Sequence, residues 1–180
     1  MSRASQVEQW GQRMLKRLSA VLVVAFSAAP ALAIECPITH AIYEQPGGDV
    51  SLRFTALPED AAVNQIAAFS IAIDGVTAKF DGAIYLPNGF GQPNGVVGLD
   101  CTGADGEQCG FWEGVVYALG GDGIEEYPHD AEIGLAAQMA PRQVLLPQFA
   151  VNVWYSLLRQ DAFADERNVL DTFTLTACAK

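Results

Sequence analysis

The chain lacks most of the signatures by which a sequence declares a chemistry. There is no Cys-x-x-Cys, so neither a thioredoxin-type redox pair nor a zinc knuckle has support. No serine lies in Gly-x-Ser-x-Gly; Ser51, Ser70 and Ser156 each fall inside an expected strand or helix. The glycine-rich stretch Gly89 to Gly95 departs from Gly-x-Gly-x-x-Gly and holds Pro93 where a helix would begin. No Walker lysine is present, which argues against a nucleotide site. Histidine is scarce, with only His40 and His129. His40 falls in an expected strand and reads as a partly buried, hydrogen-bonded residue rather than a base. A membrane-spanning helix needs about 20 predominantly apolar residues. Leu18 to Ala33 is shorter than that and carries Ser19, Ser27 and Pro30.

That short apolar run reads instead as part of an export signal. Arg13, Lys16 and Arg17 form a positive segment, Leu18 to Phe26 an apolar core, and Ala31-Leu32-Ala33 a small-x-small cleavage site. A compact signal starts at Met14, which offers an alternative start to Met1. Cleavage after Ala33 leaves Ile34–Lys180, the length of one ordinary domain. Cys36 comes too late after the cleavage site for lipid attachment, so no membrane anchor is expected once the signal is removed. The expected location is periplasmic or secreted.

Basic residues are also sparse. Residues 34–180 hold six Lys and Arg against 20 Asp and Glu, a formal charge of −14 compared with −11 for the whole chain. The six stand singly, whereas binding to phosphate backbones needs clustered cations. Nucleic acid and anionic lipid are poor partners; an envelope or extracellular protein is the expected one. The acidity itself favours solubility, a basic partner or a cation.

Four cysteines remain, Cys36, Cys101, Cys109 and Cys178, and an even number in an exported domain argues for disulfides. Four cysteines allow three pairings. Two features favour Cys101–Cys109 with Cys36–Cys178. The segment between Cys101 and Cys109 is turn-rich, and Cys36 and Cys178 stand near the two ends of the domain, which commonly lie close together.

Periodicity predicts a mainly β domain. Residues 38–44 and 50–56 read as strands around a Pro46-Gly47-Gly48-Asp49 turn. Phe69, Ile71 and Ile73, then Asp74-Gly75, then Val76, Ala78 and Phe80 predict a tight two-residue hairpin. Gly82 is expected to mark a bulge. Pro58–Ala68 suggests a helical turn, Pro87–Gly95 an exposed loop and Val96–Leu99 a short strand. Phe111–Leu119 reads as one strand with Phe111, Val115, Tyr117 and Leu119 on one side. Residues 143–146 and Asp171–Cys178 read as strands. Pro147–Gln160 carries both helical and strand spacing; its length and Pro147 favour a helix. The expected fold is a β-rich α+β domain, a single antiparallel sandwich or open barrel with one C-terminal helix, stabilised by disulfides.

Two places invite a functional reading. Phe90, flanked by glycines at the middle of its loop, and Trp112, after the cysteine loop, are candidate protein-binding anchors. In residues 122–132, Asp122, Glu125, Glu126, His129 and Asp130 gather carboxylates and an imidazole suited to calcium or another divalent cation. The pattern is not Asp-x-Asp-x-Asp-Gly, and a solvated acidic loop explains it better than a metal site does. No catalytic residue is assigned and no cofactor beyond such a cation. The features together point to a non-enzymatic protein- or ligand-binding envelope module, inhibitory modules included. The alternative is a small exported hydrolase or metal-binding protein using residues 122–132.

Overall fold

Alternating apolar and polar residues form strands because successive side chains leave a strand on opposite faces. Among the described residues, ten such segments pair in a single antiparallel sheet. They are β1 Ala41–Glu44, β2 Val50–Thr55, β3 Gln65–Ile73, β4 Phe80–Tyr85, β5 Asn94–Leu99, β6 Gly110–Val115, β7 Tyr117–Gly120, β8 Gly123–Glu126, β9 Gln143–Leu145 and β10 Thr172–Cys178. The structure is a computed structural model. It describes residues 34–87, 91–99, 110–128, 137–156 and 169–180. The expected export signal, Cys101 and Cys109, Phe90, and His129 with Asp130 lie outside the described residues.

The strand order is β6-β5-β4-β3-β2-β1-β10-β9-β7-β8. Strands β6 and β7 are thus separated by seven others in the sheet, yet only Val116 separates them in the chain. Flat strands spaced about 4.8 Å apart would put them roughly 38 Å from each other. The chain from Val115 to Tyr117 spans about 7 Å at most. The sheet must therefore curl, and it does so into a half-barrel. The segment expected as one strand, Phe111–Leu119, is instead two strands meeting at a corner. Buried Val116 is the corner residue, and its N–H donates to the Pro93 carbonyl at 2.9 Å. The bend also changes which side chains face inward: Trp112, Val116 and Ala118 are buried.

The concave face holds the core. Val50, Leu52 and Phe54 of β2 stand directly opposite Ile73, Ile71 and Phe69 of β3. A slip of one residue would expose all six, which fixes the register. Tyr43, Phe54, Phe69 and Tyr127 form a chain of ring contacts at 5.6–6.0 Å. Phe80, Phe111, Phe149 and Phe173 form a second at 5.2–6.1 Å. The second chain joins helix α1, Phe149–Tyr155, to β6 on one side and β10 on the other. Gln148 caps the helix in a left-handed conformation, φ 65°, so Pro147 stands two positions before the first helical residue rather than at it. The cap is held from afar: the Asp171 carboxylate accepts from the N–H groups of Gln148 at 2.9 Å and Ala150 at 2.8 Å.

The two ends of the domain are fastened together. Strands β1 and β10 pair, and Cys36 and Cys178 form a disulfide with Cα atoms 5.6 Å apart. Buried Gln45 adds a reciprocal pair of hydrogen bonds to the backbone of Leu170. His40 lies in a 3-10 turn, Ile38–His40, rather than a strand; it is exposed, and its Nδ1 is 3.2 Å from the Ala179 carbonyl oxygen.

Four other expectations need correction. Asp74-Gly75 does turn the chain, with Gly75 at φ 77°, but β4 begins only at Phe80 and Ile71 pairs with it. The Asp74 N–H bonds to Asp49 at 2.8 Å, which holds this end of β3 to the neighbouring turn, while Val76 and Ala78 pack on the core edge. Residues 65–68 belong to β3, so the helical reading of Pro58–Ala68 fails there. Gly82 is no bulge. It pairs regularly with Phe69, whose ring would lie 2.3 Å from a Cβ at that position. Residues 123–126, read as loop, form β8 through a tight turn at Gly121-Asp122.

A groove on the outer face of β4, β5 and β6

Paired residues share a face of a sheet, so the register of β4, β5 and β6 dictates their outer surface. One row across it is Asp81, Gly98 and Gly110; the next is Ala83, Val96 and Glu113. The centre of this surface is therefore low, built from two glycines, an alanine and a valine. A bulge between Val97 and Gly98 deepens the effect. It lets partly buried Phe111 pack against Phe80 and Phe149 while Trp112, its neighbour, is buried.

Helix α1 supplies a wall. Gln148 and Asn152 line the groove from this side, and the open space between helix and strands is about 790 Å³. That lies in the usual range for ligand sites. The wall is fixed in place. Asp171 holds the backbone of Gln148, and Asn152 Nδ2 donates to the Gln148 carbonyl at 2.9 Å. Trp112 braces it from beneath by donating from Nε1 to the Pro147 carbonyl at 2.8 Å. The charged residues lining the groove are Asp81 and Glu113; Tyr85 adds a hydroxyl, and no Lys, Arg or His lines it among the described residues.

The residues singled out from sequence fall differently. Trp112 is 3% exposed, with its ring where side chains at Gly95 and Gly114 would stand, and it is among the residues that line the groove. Asp122, Glu125 and Glu126 sit on the exposed β7–β8 hairpin. Glu125 and Glu126 are adjacent in a strand, so they leave it on opposite faces and do not converge. Among the described residues no three His, Cys, Asp or Glu side chains are grouped to hold a metal. The groove residues escaped the sequence reading because they come from three strands and a helix. Asp81 next to Phe80 did show the inside–outside alternation, but Glu113 fell on the side read as that of Phe111 and Val115, and nothing local shows that Asp81 and Glu113 share a face. Comparison of the chain with protein families, with curated proteins and with solved structures gives no match.

Proposed function

We propose that this chain is an exported, disulfide-clamped β domain that acts outside the cytoplasm as a binding module, with the β4–β6 groove as its binding site. The observation that carries this reading is the groove itself, a concavity of ligand size whose floor is built largely of small residues and whose wall is held by hydrogen bonds. The Cys36–Cys178 bridge supports the export part, since disulfides persist in oxidising compartments.

Gly110 gives the test. A Cβ there would meet nothing within 4 Å, so a leucine fits without disturbing the fold and narrows the groove that Gly110 lines. The native envelope or medium fraction is passed over immobilised protein, and bound material is identified by mass. Ligand retained by the wild type and lost by Gly110→Leu at unchanged melting temperature is the expected result; equal retention by both would remove the groove from the function. N-terminal sequencing tests export, with Ile34 expected first. A purified chain that kept residues 14–33 would overturn that part.

A further inference from the structure

We infer that the groove receives a basic polypeptide segment, whose Lys or Arg side chains reach Asp81 and Glu113; this rests on the groove being the binding site. Charge is the first argument. The two charged groups lining the described groove are both carboxylates, and the chain as a whole carries −11. The local and the long-range fields therefore both favour a cation and oppose an anionic ligand.

Spacing is the second. Asp81 and Glu113 lie two strands apart and one row apart on the same face. That places their Cα atoms roughly 12 Å from each other. A hard cation takes six to eight oxygen ligands, and among the described residues no three His, Cys, Asp or Glu side chains are grouped to hold one. In an extended peptide, residues i and i+4 are about 13 Å apart on the same side, which matches.

Shape is the third. The groove is an open trough on a sheet face. A small polyamine would lie with one side in water, whereas small ligands are usually buried over 70–90% of their surface. A polypeptide covers the trough from above. Its aliphatic lysine or arginine stems rest on Val96, Ala83 and the Tyr85 ring while the cationic heads reach the carboxylates. Gln148 and Asn152 present amides along the wall, suited to the segment's backbone.

The test uses the oxidised full domain and a fluorescent Gly/Ser peptide with two lysines four positions apart, read by anisotropy. Parallel arms use the same peptide with acetylated lysines, and spermidine as competitor. The double change Asp81→Asn with Glu113→Gln is expected to weaken binding about tenfold. Gly110→Leu should abolish it. Glu59→Gln with Asp60→Asn, which removes equal charge from an exposed loop outside the groove, should leave it within about twofold. Circular dichroism confirms that each variant is folded. Equal weakening by the Glu59/Asp60 control would reduce the effect to net charge and overturn the inference. Acetylated peptide binding as well as the free one, with Gly110→Leu still blocking, would end the cation reading and leave the groove standing. Displacement by spermidine at equal concentration would exchange the polypeptide for a small polyamine. Lysine peptide binding untouched by Gly110→Leu would remove the groove reading itself.

Discussion

Gly82 is required by what crosses it. The Phe69 ring lies where a Cβ would stand, with three ring atoms within 2.8 Å of that point. The backbone there is not left-handed, so the constraint is packing and not torsion. Gly82→Ala forces the ring out of the core and is expected to cost roughly 1–3 kcal/mol in urea unfolding. Gly110→Ala, with open space around it, should stay within about 0.5 kcal/mol. Two buried phenols give a second residue-level expectation. Burial pushes the ionisation of Tyr43 upward, and burial together with the neighbouring Tyr43 does the same for Tyr127. Folded protein keeps both protonated, while unfolded chain ionises near pH 10. Stability is therefore intact below about pH 10 and falls above it, with a limiting slope of roughly 2.7 kcal/mol per pH unit for two protons. Urea midpoints should be flat from pH 8 to 9 and drop by pH 11. Tyr43→Phe should halve the slope, and it also loses the hydrogen bond to the Pro141 carbonyl.

Among the elements, the strands with clean alternation were legible and the connections were not. β3 is the clearest case: Phe69, Ile71 and Ile73 face the core as their spacing requires. The following turn was placed correctly, but where β4 begins depends on the bond from Asp74 to Asp49, a contact no local pattern contains. Helix α1 resolves a tie between two periodicities. Phe149 and Val153, four apart, are buried, and the strand-like partners Val151 and Tyr155 are exposed. The packing of Phe149 between Phe111 and Phe173 favours the helical choice. The Cys36–Cys178 bridge acts at this scale too, joining the segment before β1 to the end of β10 across a sequence separation of 142. Loop-closure entropy gives it about 5 kcal/mol against the unfolded state. Unfolding under reducing conditions, or in a Cys36→Ser/Cys178→Ser variant, should show a loss of this order. A midpoint unchanged by reduction would contradict it.

At the scale of the molecule, β10 is the last strand in the chain and lies inside the sheet, between β1 and β9. The sheet cannot be completed until β10 arrives. A chain ended at Asp171 removes β10 and Phe173, breaks the join between β1 and β9, and leaves Cys36 unpaired. It should show no cooperative thermal transition by near-UV circular dichroism; a sharp transition would mean that β1–β6 fold independently. The corner at Val116 is the other global feature. It brings the two ends of the strand order together, and β6 then carries Glu113 on the outside and Trp112 on the inside of the same short strand.

Taken alone, the sequence determined a β-rich domain with most of its strand positions, the core face of β3, the pairing of Cys36 with Cys178 as the favoured choice, and a strong negative charge. These are readable because alternation, turn chemistry and the closeness of domain ends act over a few residues or on the chain as a whole. Only the tertiary structure decided that Phe111–Leu119 bends into two strands, that Trp112 is core, and that Asp81, Glu113, Gln148 and Asn152 line one groove. Those facts depend on which strands become neighbours. Neighbours in a curled sheet are set by long-range register and by the packing of Phe80, Phe111, Phe149 and Phe173, residues spread over much of the chain.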